Sequence, residues 1–357
     1  MKNSRFFQHA TDSMNRRAFL RLSGVLSLGL ASASVIPSTA EAIKFNRKLY
    51  KISKTRVAMG TFVSMTLLHP SKNQAEEAMG KAFEEIDRLT RTLSRFDQTT
   101  AVAYLNREGY LKDVPPELAD VVARALEYHR ITNGAFDISV KPLIDLLKER
   151  LSGIGKRPPS ESELRKALEL IDAADIQSTG RTIRFKKPGM GITLDGIAKG
   201  YVVDRASNVL ADHQINNHLI NAGGDIRTSG NRRDGKPWTV AIQDPHKGGH
   251  YPDIIHMTDG AIATSGNYEV YFDRERISHH IINPGTGLSP DANTSVSVTA
   301  ETAMDADALS TSVFVMNAYR GIRFIDSIPK CECLVLDKGN RKIRSAGWKN
   351  EAIKGVS

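Results

Sequence analysis

Cysteine is nearly missing: Cys331 and Cys333 are the only two in 357 residues. That excludes a disulfide scaffold and a thiolate zinc site. Their C-x-C spacing, just ahead of Leu334-Val335-Leu336, puts both side chains on one face of a predicted strand. Two buried thiols or a strained bond between them satisfy that spacing equally in principle, and buried thiols are the commoner outcome. A long hydrophobic run is missing too. The stretch from Leu22 to Ile36 is shorter than the ~20 apolar residues that a bilayer-spanning helix needs, which excludes a stable membrane span. No cluster of base is present: the net charge of +9 is spread along the chain, which argues against nucleic acid as a partner. Internal repeats and a low-complexity tail are likewise absent.

What is there begins with an address. Asn15-Arg16-Arg17-Ala18-Phe19-Leu20-Arg21 supplies a twin arginine and an apolar pair, followed by the mildly hydrophobic run, Pro37, and the small-residue site Ala40-Glu41-Ala42. Charge, apolar segment and A-x-A in that order predict a twin-arginine export signal over 1–42, cleaved after Ala42, and a periplasmic protein. The mature domain is then 43–357, long enough to bury a large core. The signal carries five Lys/Arg and two Asp/Glu, so the domain keeps 44 bases against 38 acids, or +6.

Residues 62–68 alternate as a strand, and Ser71 with Gln74 reads as a capping box ahead of a helix over 75–93. A second helix is predicted over 117–131, stopped by Asn133-Gly134, and a third from Ser160 with Glu163 as its capping partner. Further on, strands are expected at 182–185, 218–221, 238–242, 269–272, 280–282 and 295–299, with helices near 197–210 and 303–316. Residues 152–159 read as a loop. Helices and strands mix without regular βαβ alternation, so the fold class is α+β.

Asp307 and Thr311 stand at i, i+4, which places a carboxylate and a hydroxyl on one helix face. Hard oxygens of this kind suit Mg²⁺; an ordinary acidic helix start fits the same spacing. In Asp195-Gly196-Ile197-Ala198-Lys199-Gly200, glycines let backbone approach a ligand, and free N–H groups at a helix start suit phosphate. Lys199 adds a point charge, or is simply a surface lysine beside a tight turn. His280, opening the predicted strand before Asn283-Pro284-Gly285-Thr286-Gly287, has the natural chemistry of a general base, or is a structural histidine.

Eight segments in order resemble the ApbE family: Met59-Gly60-Thr61, Leu93-Ser94-Arg95-Phe96-Asp97, Gly134-Ala135-Phe136-Asp137, residues 194–201, Asn221-Ala222-Gly223-Gly224-Asp225-Ile226, residues 263–268, residues 280–287 and Ala306-Asp307-Ala308-Leu309-Ser310-Thr311. The resemblance implies one large ApbE-type (T-fold-like) domain of mixed, mainly antiparallel sheets with packed helices. It implies a FAD:protein FMN transferase that uses Mg²⁺ and FAD as substrate, and an exported flavoprotein as partner. FMN would pass to a Thr or Ser hydroxyl of that partner, and AMP would leave. FAD hydrolysis to FMN and AMP is the alternative on the same site. A non-catalytic FAD-binding assembly protein for a periplasmic electron-transfer complex is the alternative outside enzymology. By the same resemblance the metal ligands fall on Gly196 (through its carbonyl), Asp307, Ser310 and Thr311. The flavin contacts fall on Met59, Phe96, Ala135, Phe136, Asp137, Thr193, Asp195, Lys199 and Ile282, and the catalytic residues are His280 and Asp307. Relatives usually read Asp-Leu-Gly-Gly where this chain has Thr193-Leu194-Asp195-Gly196, so the family's flavin-contacting acid is Thr193 here and an acid follows two residues later. Asn283 stands where relatives carry aspartate.

Overall fold

The structure is a computed structural model that describes residues 41–44, 49–152, 157–232, 235–246, 251–268 and 279–349. The predicted signal up to residue 40 and the predicted strand at 269–272 lie outside the described residues.

The chain opens with β1 (Glu41–Lys44), β2 (Tyr50–Ala58) and β3 (Thr61–His69), then α1 (Lys72–Leu93) and α2 (Ala101–Glu108). β4 (Tyr110–Lys112), α3 (Pro116–Ile131), α4 (Lys141–Ser152) and α5 (Glu161–Leu168) follow, and β5 (Ile176–Thr179) and β6 (Thr182–Phe185) lead to α6 (Ala198–Asp212). Next come β7 (His218–Ala222), β8 (Asp225–Ser229), β9 (Trp238–Ala241), β10 (Ile254–Met257), β11 (Gly260–Gly266) and β12 (Asn293–Ala300). α7 (Ala303–Val315), α8 (Ala318–Asp326), β13 (Glu332–Asp337) and β14 (Lys342–Arg344) close it.

A nine-stranded sheet in the order β1-β2-β3-β7-β8-β11-β12-β13-β14 forms the frame, and all its pairings are antiparallel. Two small sheets, β10-β9 and β4-β6-β5, stand apart from it. The α+β expectation holds, in one domain.

The elements form for local reasons. The β2–β3 hairpin turns on Met59 (φ 52°) and Gly60 (φ 72°), two consecutive left-handed residues whose twist suits a two-residue connection. α1 buries Ala75, Ala78, Met79, Ala82, Phe83, Ile86, Leu89 and Leu93 along one stripe. Ser71 caps it by accepting from Gln74 N, but the reciprocal half of the expected capping box is missing: the Gln74 amide donates to His213 O at 3.1 Å instead. At α5 the box of Ser160 and Glu163 is complete.

α7 is buried nearly all round, from Ala303 to Phe314. A helix without a polar face belongs inside a domain, and this one packs on β11 and β12 with α6 beside it. Its C-terminal carbonyls are closed by buried Asn293 of β12, whose Nδ2 donates to Val313, Phe314 and Met316. One large core joins the sheet to α1, α6 and α7, and Cys331 and Cys333 both lie in it as free thiols. No helix of the described residues is long and apolar enough to cross a membrane.

Candidate active site

α6 and α7 cross at Gly200. A Cβ there would sit 2.2 Å from Ala303 O, so only glycine permits the approach. From α6, Asp204 takes the free N–H groups of Ala303 (2.9 Å) and Met304 (2.8 Å) at the start of α7. Burial pushes its carboxyl up to about 6, against the pull of those two amides.

This crossing brings Asp307, in the second turn of α7, against the start of α6. Its Oδ2 accepts from Gly200 N at 3.2 Å. The side chain is buried, and burial foremost, then the negative charge of Asp225, holds its carboxyl well above the usual range. Lys199 Nζ lies 2.8 Å from Asp225 Oδ2, so one lysine stands among two buried acids. One turn further along α7, Ser310 Oγ donates to Asp307 O (3.0 Å) and meets Ser265 Oγ at 2.9 Å. Ser265 Oγ also lies 3.2 Å from Thr311 Oγ1. A Cβ on Gly196 would lie 3.2 Å from that same Thr311 oxygen and 3.4 Å from Phe136 Cε2. Gly196, Asp307, Ser310, Thr311 and Lys199 therefore lie together, drawn from segments more than a hundred residues apart.

A hard divalent cation fits this donor set. The oxygens are a carboxylate, hydroxyls and a glycine carbonyl, and the buried charge is one acid in excess of base. An acid that burial and a neighbouring acid drive toward protonation is one that a cation would relieve.

The rim is polar and aromatic. Asp195 is half exposed, and its Oδ2 accepts from Arg95 Nε (3.1 Å) and Nη2 (2.8 Å). The Arg95 guanidinium lies 4.3 Å over the Phe96 ring, and Phe96 is exposed. Thr193 is buried, donates its N–H to Ile138 O (2.8 Å), and accepts from Asp195 N (3.3 Å). Residues 191–194 are a loop rather than a strand, so the alternation that would carry an acid from position 193 to the same face at 195 does not apply here. The Met59-Gly60 hairpin stands beside the Gly223-Gly224-Asp225 turn, since a Cβ on Gly223 would lie 2.4 Å from Thr61 Oγ1.

Other expected positions take structural places. Phe136 is buried edge-on to Tyr128, with ring centres 6.1 Å apart. Ala135 is half-buried in the turn after α3. Asp137 is buried, and its carboxylate accepts from Ser139 N (2.7 Å) and Ala173 N (3.1 Å). Ile282 packs in a separate core with Leu143, Ile144 and Leu147. The strand expected at 280–282 is not formed: His279 makes an isolated bridge and His280 sits at a bend. The reason is local, because this segment bonds to its own loop, with His279 N donating to Ser289 Oγ and Asn283 N to Leu288 O. The His279 ring packs edge-on against Phe314 of α7 at 5.5 Å, and the His280 ring is 6.4 Å from it.

Asp225, Asp204, Ser265 and Arg95 acquire their roles only here. Their partners are distant in sequence, 100 residues for Arg95 and Asp195, so spacing could not have found them.

Comparison with known proteins bears on the same segments. The ApbE family model matches residues 59–335, more than half of the chain. A FAD:protein FMN transferase of Vibrio cholerae is 35% identical over 270 residues, covering 72% of this chain and 76% of that one. One from Treponema pallidum is 28% identical over 328 residues, 84% and 88% of the two chains. Among solved structures, the ApbE protein of Thermotoga maritima superposes with a TM-score of 0.75 at 30% identity, covering 83% of this chain and 97% of that one. The flavin transferase ApbE of Vibrio cholerae superposes at 0.72 and 26% identity, over 86% and 98%.

Proposed function

The chain belongs to the ApbE family, and from that premise we propose that it transfers FMN from FAD to a Thr or Ser hydroxyl of a partner flavoprotein, releasing AMP. The observation that carries this reading is Asp307: a buried acid that shares the charge of Lys199 with Asp225, beside Ser310, Thr311 and the Gly196 backbone.

Asp307, Ser310, Thr311 and the Gly196 carbonyl are the residues that would hold Mg²⁺. Bound there, the ion would neutralise charge on the phosphoryl oxygens and leaving group. Lys199, anchored by Asp225, presents an ammonium to the same pyrophosphate. Gly196 and Gly200 leave the backbone bare where the phosphates approach. Arg95 and exposed Phe96 form a platform that suits an aromatic ring, with Asp195 holding the guanidinium in place. His280 is the proposed base: it takes the acceptor hydroxyl's proton as the oxygen attacks the phosphorus on the riboflavin side. The phosphoanhydride bond breaks as the new ester forms, and AMP carries away the electron pair. The twin-arginine pattern at Arg16-Arg17 supports a periplasmic site of action, with an exported acceptor.

The test is a reaction of purified protein with FAD, Mg²⁺ and a candidate acceptor. Flavin fluorescence on the acceptor band after denaturing electrophoresis, with AMP in solution, is the expected outcome. Free FMN with an unlabelled acceptor would assign hydrolysis instead, and FAD recovered intact would overturn both.

A further inference from the structure

His129 closes the last turn of α3 between two acids. Its Nδ1 lies 3.1 Å from Asp137 Oδ2 and its Nε2 lies 3.2 Å from Asp172 Oδ1. Both acids already have backbone duties. Asp137 caps the short turn at Ile138–Val140 and takes Ala173 N, while Asp172 caps the turn at Ala173–Asp175. Asp175, in the turn that Asp172 caps, is occupied by Lys186 and Lys187, and the Lys187 charge also feels Asp172.

A metal ion explains this trio poorly. One ion would coordinate one ring nitrogen, whereas the acids face opposite nitrogens, and Asp137 Oδ2 is already an acceptor. An imidazolium explains it directly, because only that form presents N–H on both sides. Neither contact makes a straight hydrogen bond, so charge attraction carries both. The end of a helix also favours a cation.

We infer that His129 acts as an imidazolium clamp, a positioning residue that holds the 133–138 segment and so sets the flavin side of the site. The mechanical link is short. Phe136 N donates to Thr132 Oγ1 of the turn after α3, Ile138 O accepts from Thr193 N, and the Phe136 ring lies against Gly196. Loosening the clamp frees a segment that touches both Thr193 and Gly196. The positioning half of this inference rests on the flavin reading above; the clamp itself does not.

Asp137 foremost, with Asp172, holds the imidazolium above its ordinary value of 6.5, against the effect of burial. A raised folded-state value means that the clamp's stabilisation is complete below pH 6.5 and is lost as pH rises through the folded value. The first test is the melting temperature of wild type and His129→Gln across pH. The wild type should melt higher at acid pH, and the gap should close as pH rises. A gap that does not change with pH, or no gap, would overturn the clamp. The second test is FAD affinity by flavin fluorescence with Mg²⁺. Wild type should weaken roughly three- to tenfold between about pH 6 and pH 9 while His129→Gln stays flat. Parallel pH courses in the two proteins would overturn the positioning role. A wild type that binds no FAD at any pH would sink the flavin reading and the positioning role with it, and the melting comparison would still judge the clamp.

Discussion

Gly200 and Ala303 are pressed together, with no room between the α6 backbone and the Ala303 carbonyl for even a methyl group. This contact lets Gly200 N reach Asp307 and lets Asp204 cap α7, so it sets the spacing of the site.

Gly200→Ala should therefore cost both stability and activity. Backbone on both sides cannot move aside as a flexible side chain would, so overpacking of about 2–3 kcal/mol is expected. Urea denaturation reads the loss; an unchanged midpoint would mean that the two helices slide apart freely.

Asp307→Ala should abolish metal-dependent transfer, by at least about a hundredfold. Calorimetry with Mg²⁺ on wild type and variant separates lost binding from lost folding. Unchanged Mg²⁺ binding would put the ion elsewhere.

Asp225→Asn removes the charge that anchors Lys199. An anchored ammonium matters most where the phosphates sit, so turnover should fall roughly tenfold with a smaller loss of stability. Steady-state kinetics over a range of FAD concentration shows whether KM or kcat carries the change.

Asp204 gives stability a pH dependence of its own. Its folded-state value of about 6 lies above the ordinary 3.8, so the folded protein binds the extra proton. The contribution is complete below pH 3.8, falls as pH rises, and is gone above about 6. Its size is at most about 3 kcal/mol. Asp204→Asn should flatten this part of the urea-midpoint profile.

Cys331 and Cys333 should resist alkylation until the chain unfolds. Burial pushes the Cys331 thiol up to about 11 and Cys333 higher still. Thiol titration should find neither group in the native protein and both in denaturant.

The helices were legible where their signals are local. The stripe of α1, the Ser160–Glu163 box and the Asn133-Gly134 stop each depend on residues within a few positions of one another. The paired oxygens of Asp307 and Thr311 were legible for the same reason, by helical spacing. β13 with the buried thiol of Cys333 was foreseen from Leu334-Val335-Leu336, though Cys331 falls one residue before the strand, whereas the strand at His280 was not formed, because its bonds go to its own loop.

By itself, then, the order of the residues determined which helices form, which family the motifs resemble, and which short segments carry the chemistry. All of these are set by neighbours along the chain. The tertiary structure alone decided which acid pairs with Lys199, which helix start Asp204 caps, and that Arg95 answers Asp195. It also placed His129 between two acids from different turns. Each of these is a charge meeting its partner across a fold, and such a meeting leaves no periodicity in the sequence because the distance that matters is through space.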